Sequence, residues 1–380
     1  MEWTIVLCGI LTLTGAEYYV FMDGERPHEG NIQIYNGSIW FNLCTDGWDN
    51  NDATVICRMA GYTGNGAVAR ESNNGFTFSS LVNHKFDCTG TEQTLADCPT
   101  SSNNATACAN STLSHLTCSV DPAPNDFFLI SFGNNIARMD RQTASVSLVQ
   151  SGTVDRVIAI TYDSVKDNII WTDILRYQIA MCGLQGGNIT VLYQAGNASI
   201  MDGMAIDEGS RLLFYTDTGY DEIGTVNIDT LVRTVIITTD LDEPRAIALD
   251  TVTREIFWTD WGASPTIKRA NYDGSSITTL VNTGLGWPNA LFLNGDVLTW
   301  CDAQVDVYER INRNGTGRTQ LASFSSHCFD FTIFEDYIYA NDWVYTQIQR
   351  IKTDGSYRDS FGPPLVKGFG IFHYIKENLF

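Results

Sequence analysis

Five segments of this chain are near-copies of one another: Ile169-Ile170-Trp171-Thr172-Asp173, Leu213-Phe214-Tyr215-Thr216-Asp217, Ile256-Phe257-Trp258-Thr259-Asp260, Leu298-Thr299-Trp300-Cys301-Asp302 and Ile338-Tyr339-Ala340-Asn341-Asp342. Their closing aspartates are spaced 44, 43, 42 and 40 residues apart. A fixed period in that range means stacked supersecondary units, none of which can bury its apolar surface alone. Each period carries four strand signals. In the clearest, Arg245–Leu249 and Glu255–Thr259 are apolar runs, and Thr266–Tyr272 alternates. An Asp273-Gly274 turn then leads into Ser276–Val281. Asp-Gly between alternating runs signals a hairpin, because both central residues tolerate positive φ. Four antiparallel strands repeated radially make propeller blades. Five blades are explicit. A sixth is assembled from both ends, with Phe127–Phe132 and Ile136–Asp140 as outer strands and Lys367–His373 as the inner one. The expected fold is mainly β: a six-bladed propeller behind a small disulfide-rich α+β module.

The repeats resemble the YWTD propeller (class B repeats) of the low-density-lipoprotein-receptor family over about Asp126–Glu377. Besides the tetrads, the matching elements are Pro244-Arg245-Ala246-Ile247-Ala248-Leu249-Asp250, Trp258-Thr259-Asp260-Trp261-Gly262 and Trp287-Pro288-Asn289-Ala290. The middle repeats look most like the Wnt co-receptor branch. Two copies depart from the pattern. Cys301 replaces the threonine, and Ala340-Asn341 replace the aromatic residue and the threonine.

The ends set the expected compartment. Trp3–Leu13 is an apolar run followed by Thr14-Gly15-Ala16, which reads as a secretory signal over residues 1–16, although Glu2 stands where a basic residue is usual. No later segment has the uninterrupted apolar length of a membrane helix. The reading is a secreted protein, or the ectodomain of a longer membrane receptor. Sequons at Asn36, Asn104, Asn110, Asn188, Asn197 and Asn314 agree with secretion. A net charge of −21 argues against nucleic acid, whose phosphates need a basic stripe.

Residues 17–120 hold Cys44, Cys57, Cys88, Cys98, Cys108 and Cys118, an even set that reads as a disulfide framework in a secreted chain. No pair has the two-residue spacing typical of zinc. Asn31–Tyr35 and Ile39–Leu43 read as a hairpin turning at Asn36-Gly37, and Asn51–Ala60 as a helix. The module resembles a group A scavenger receptor cysteine-rich domain. The residues that carry this are Gly30–Tyr35, Trp40, Cys44-Thr45-Asp46-Gly47-Trp48-Asp49, Asp52-Ala53-Thr54-Val55-Ile56-Cys57-Arg58, Gly61-Tyr62 and Cys88-Thr89-Gly90-Thr91-Glu92. The resemblance implies bridges Cys44–Cys108, Cys57–Cys118 and Cys88–Cys98. Many such domains hold a divalent cation on paired carboxylates. Here His84-Lys85 and Thr112-Leu113 occupy those places, so no metal is expected. Pro122 and Pro124 mark a linker over 121–126, with the propeller running 127–380.

Following the repeat order, the segments after each tetrad and before each inner strand meet on one face. That face collects Tyr177, Tyr220, Trp261, Trp287, Asn289, His327, Phe329, Asp330 and Trp343. Large aromatics in loops have no blade core to fill, and they are enriched at binding hot spots. By resemblance, Trp287 and Asn289 are the preferred ligand contacts, and His327 is a candidate for pH-dependent release. The repeating aspartates share the period of the fold, which makes them structural ties rather than catalysts. No nucleophile elbow, His-Glu-x-x-His or phosphate loop is present, and no cofactor is expected. Cys301 and Cys328 approach the loop face from adjacent repeats, so they form a candidate bridge, with Cys182 left as a buried thiol. The leading reading is a non-enzymatic binding module for an extracellular protein: a receptor ectodomain, a ligand trap or a Wnt-pathway-like modulator. Two alternatives are pattern recognition through the cysteine-rich module and a propeller hydrolase.

Overall fold

Backbone pairing follows the period of the sequence. The computed structural model describes residues 18–24, 26–43, 45–72, 84–102, 112–119, 125–323, 327–342, 344–366 and 368–375. Five separate four-stranded antiparallel sheets span 157–194, 203–237, 244–281, 288–323 and 328–361, and they are the first to fifth blades of a β-propeller. The apolar residues of each tetrad are buried. Trp171, Tyr215, Trp258 and Trp300 are fully so, because the tetrad strand lies inside its blade and these rings pack against the preceding one. Trp258, for example, shares a cluster with Phe214 and Ile223 of the preceding blade. In the third blade the last strand, Thr278–Val281, starts two residues later than the alternation implies, because Ser276 sits at φ 61° in the turn.

The inner strands are Val157–Asp163, Gly203–Asp207, Pro244–Asp250, Pro288–Asn294 and Cys328–Phe334. The register shifts near the start of four of them, between Val157 and Ile160, Pro244 and Ile247, Pro288 and Leu291, and Cys328 and Asp330. A bulge leaves an N–H without its ladder partner. The tetrad threonine fills that gap: Thr172 Oγ1 accepts from Ala159 N at 3.0 Å, and Thr259 Oγ1 from Ala246 N at 3.0 Å. Thr216 accepts from Gly203 N at 2.9 Å and donates onward to the Arg245 carbonyl of the next blade. Inner strands approach so closely here that a Cβ on Gly203 would lie 2.1 Å from the Arg245 oxygen.

The chain ends build a further four-stranded run, ordered Gly368–Ile375, Asp126–Phe132, Asn135–Asp140, Val146–Ser151. Asp126 already lies in a strand, so this run begins inside the stretch expected as linker; residues 121–124 of that stretch lie outside the described residues. The outermost strand, Val146–Ser151, has no counterpart in the sequence reading, and its edge is not free. Strand Tyr19–Asp23 of the N-terminal module pairs with it in parallel, Phe21 opposite Val146 and Met22 opposite Ser147. One nine-stranded sheet therefore runs through both modules. Covering an edge strand in this way removes a template for unwanted pairing.

In the N-terminal module, helix Asn50–Met59 starts at the Asp49 N-cap and is closed by a capping box with Asp52. Burial pushes the Asp52 carboxyl up to about 6. Disulfides Cys57–Cys118 and Cys88–Cys98 are formed as expected, while Cys44 and Cys108 lie outside the described residues. The helix end meets the propeller through Arg138, which is 1% exposed. Its guanidinium donates to the Ala60 carbonyl at 3.1 Å and stacks 4.4 Å over Tyr62. Gly61 (φ +80°) is packed so tightly that an added Cβ would sit 2.8 Å from an Asp140 oxygen. Trp40 Nε1 adds a bond to the Pro364 carbonyl at 3.3 Å.

Two outcomes follow. Thr216→Val keeps the shape but leaves an N–H and a C=O without partners. It should cost about 1–3 kcal/mol in denaturant unfolding. Arg138→Ala should cost a similar ~1–3 kcal/mol, and hydrogen exchange should speed up at Tyr19–Asp23 while the tetrad strands stay protected.

Candidate functional site

The five tetrad aspartates are all buried, from 0% exposed (Asp173, Asp217, Asp302) to 4% (Asp342). Asp302 accepts from Gly286 N (2.7 Å) and Trp287 N (2.9 Å) ahead of the inner strand, and from Gln304 N (3.1 Å) and Val305 N (3.3 Å) after the tetrad. Asp173 does the same for Asp155, Arg156, Leu175 and Arg176. Asp173, Asp217 and Asp302 thus each gather two loops onto one face, while Asp260 accepts from Asp242 N and pairs with Lys268, and Asp342 accepts from Val344 N and Tyr345 N. Carboxylates used as backbone acceptors in this way are scaffold, not acid–base groups.

On that face the side chains form a row across four blades. Asp202 pairs with Arg245, and the Arg245 guanidinium lies 3.8 Å over the Trp261 ring. Trp261 stacks on Trp287 at 5.9 Å and 29°, and Trp287 meets the His327 ring at 6.0 Å. Trp261 Nε1 donates to the Pro288 carbonyl of the next blade at 3.1 Å, which fixes its ring plane. Trp287 is 37% exposed. Phe329, partly buried, packs edge-on against Phe369 at 5.3 Å. Arg245 and Asp202 were not singled out from the sequence. An arginine leading an inner strand, in line with Asn289 and Phe329 of the neighbouring blades, is the signal that could have found Arg245.

Not every expected face residue joins the row. Tyr220 is 48% exposed on the second blade. A Cβ on Gly196 would lie 2.3 Å from its hydroxyl, so Tyr220 stands beside the exposed sequon residue Asn197. Tyr177, on the first blade, is partly buried, and Trp343 lies outside the described residues. Asn289 differs from the expected exposed contact. It is 6% exposed and its Nδ2 donates to the Cys328 carbonyl at 2.7 Å, bracing two inner strands.

Below the row a cavity of about 680 Å³ follows the inner strands, lined in part by Arg245, Asn289, Phe329 and Asp330. Asp330 holds the place that Ala159, Gly203, Ala246 and Ala290 hold in the other blades. Its carboxylate accepts from Phe331 N and from Ile371 N of the neighbouring strand, both at 2.9 Å. Burial nevertheless pushes it up to about 7, the two backbone donors only partly opposing this. Among the described residues no group of three or more His, Cys, Asp or Glu is placed to hold a metal ion. No helix among them is long and apolar enough to cross a membrane.

The Cys301–Cys328 bridge is formed, and Cys182 is a buried free thiol whose pKa burial raises to about 11. Of the exposed sequon residues, Asn188 and Asn314 lie in blade strands and turns, and Asn36 in the N-terminal hairpin turn. Asn104 and Asn110 lie outside the described residues.

The Asp330 shift carries a sign. A group that binds its proton more tightly when folded adds stability below its unfolded pKa and loses it as pH rises through the folded value. The Asp330 contribution should therefore fall between about pH 4 and pH 7. In Asp330→Asn, the difference in thermal midpoint between pH 5 and pH 8 should shrink relative to the parent.

A model of the scavenger receptor cysteine-rich domain matches residues 22–119, and one of the low-density lipoprotein receptor repeat class B matches residues 254–293. The human low-density lipoprotein receptor-related protein 5-like protein is 35% identical over 198 residues, 51% of this chain and 78% of the relative. The vitellogenin receptor Yl of Drosophila melanogaster is 32% identical over 199 residues, which is 51% of this chain but 10% of that receptor. Among solved structures, a chain of a nidogen/laminin complex superposes with a TM-score of 0.61 at 26% identity, over 66% of this chain and 98% of the other. This chain belongs to the low-density-lipoprotein-receptor-related family, with a scavenger receptor cysteine-rich domain ahead of its class B propeller.

Proposed function

We propose that this chain is an extracellular protein-binding module of receptor type, which grips a protein ligand on the loop face of the propeller and performs no chemistry on it. The observation that carries the reading is the Trp261–Trp287 stack, held by backbone bonds, with Trp287 37% exposed. Rigid aromatic surface of this kind loses little entropy on binding and supplies most of the energy at protein interfaces. The receptors and the nidogen/laminin complex among its relatives support a protein ligand. Trp287, Trp261 and Phe329 are proposed as contacts. Tyr220 stands at the margin, Trp343 is kept as a contact on the sequence reading alone, and Asn289 and Asp330 support the wall from behind. A net charge of −21 favours fast encounter with basic partners.

The proposal includes six blades, with the sixth closed by strands from both chain ends. It also includes secretion after a cut near residue 16 and glycans on the exposed sequons. A glycan on Asn197 would crowd the Tyr220 sector and leave the tryptophan sector open.

The test begins with ligand selection from a library of extracellular domains against the full secreted chain. Trp287→Ala should weaken the selected ligand by about thirtyfold or more, the range of a hot-spot truncation, with secretion unchanged. Equal affinity in parent and variant would move the site elsewhere. Parallel loss of secretion and binding would make Trp287 a folding residue.

A further inference from the structure

The tetrad strand of each unit offers one side chain, next to last in the strand, to the neighbouring inner strands. Thr172, Thr216, Thr259, Asn341 and Ser131 serve there through hydrogen bonds alone. At the junction of the fourth and fifth blades the same place holds Cys301, joined covalently to Cys328 across 6.4 Å between Cα atoms. Hydrogen bonding is evidently enough to keep blades together, so ring integrity by itself does not account for the covalent bond.

This junction carries the last step of the row. The row crosses here from Trp287, which immediately precedes the inner strand of the fourth blade, to His327, which immediately precedes that of the fifth, as it crosses from Trp261 to Trp287 at the preceding junction. Three bonds run from neighbours of the bridged residues to the row, and a fourth joins Asn289, behind the row, to Cys328. Asn289 Nδ2 donates to the Cys328 carbonyl at 2.7 Å. His327 Nδ1 lies 2.9 Å from the Ala303 carbonyl, and Ala303 N donates to the Trp287 carbonyl at 2.9 Å. Trp287 N donates to Asp302, the neighbour of Cys301 in sequence. A blade junction held by hydrogen bonds can open locally at a modest free-energy cost, and any such opening would change the gap between the two rings.

We infer that the Cys301–Cys328 disulfide is a positioning element of the binding rim, fixing the placement of Trp287 against His327 as the surface on which a side chain of the partner packs. This rests on the rim being the ligand site as proposed above. Cys301 and Cys328 touch no ligand themselves, being 0% and 1% exposed. They act through Ala303, Asn289 and His327.

The test needs no ligand. Cys301→Thr combined with Cys328→Pro gives the junction the residues its own repeats use, Thr259 and Pro288 at the preceding junction. In the full chain, amide exchange at Ala303 and Trp287 should rise at least tenfold. The imidazole ¹⁵N shifts of His327 should leave the Nδ1–H pattern that the Ala303 carbonyl selects. Exchange at Trp261 N, bonded to the Glu243 carbonyl in a disulfide-free part of the rim, should stay as in the parent. A lower thermal midpoint with Ala303 exchange and His327 shifts unchanged would make the bridge a fold staple only and overturn the inference. If the double variant is not secreted, the parent decides by itself: Ala303 N should exchange at least tenfold more slowly than Trp261 N, and equal rates would overturn the inference. Loss of ligand in Trp287→Ala with His327 shifts intact tests the site reading separately.

Discussion

Ring geometry rests on one recurring contact, the side chain next to last in each tetrad strand reaching a bulged inner strand. The bulge is what lets an inner strand curve along the central cavity, and it strands a backbone N–H that must find a partner. A threonine hydroxyl suits this place because it accepts and donates at once, as Thr216 does between Gly203 and Arg245. The departures keep the task by other means. Ser131 accepts from Gly370 N and donates to the Val157 carbonyl, Asn341 donates to the Phe369 and Gly370 carbonyls, and Cys301 bonds covalently. A residue that reads as degeneracy in the sequence is a substitution of one link for another.

The run built from the chain ends is held by more than strand pairing. Asp330 ties Gly368–Ile375 to the fifth blade, and His373 meets Asp126 at 2.9 Å while Arg141 meets the same carboxylate at 2.6 Å. On the outside, Tyr19–Asp23 continues the sheet and Arg138 is buried against Ala60 and Tyr62. A strand added to an edge contributes main-chain hydrogen bonds along its length, and a buried arginine with a carbonyl and a ring to satisfy it has no cheap alternative position. The cysteine-rich module is therefore part of the propeller sheet rather than a bead on a tether.

The same economy governs the loop face. Carboxylates that would tempt a catalytic reading are spent on loop N–H groups, and those loops then have little freedom. Aromatic rings attached to them are held by carbonyls of the next blade, as Trp261 is by Pro288. A surface of fixed, partly exposed rings is suited to recognition.

Period, tetrads and turn residues were legible without coordinates, because they arise from local chemistry repeated in register. The alternation of strands, the helix read over Asn51–Ala60, the Cys57–Cys118, Cys88–Cys98 and Cys301–Cys328 pairings and the structural role of the aspartates all follow from residues whose partners the period or a family pattern brings near. What the chain alone could not show depends on contacts across large separations. Strand Val146–Ser151 has no repeat partner to announce it, and its pairing with Tyr19–Asp23 joins residues more than a hundred positions apart. The sequence does not show that Asn289 is buried and bonded to the carbonyl of Cys328, on another blade. Arg245 and Asp202 lie on different blades and become a pair only when the ring curves them together. Local pattern dictates which elements form. Only packing decides which side chains remain for a partner, since exposure belongs to the assembled surface and to no single stretch of chain.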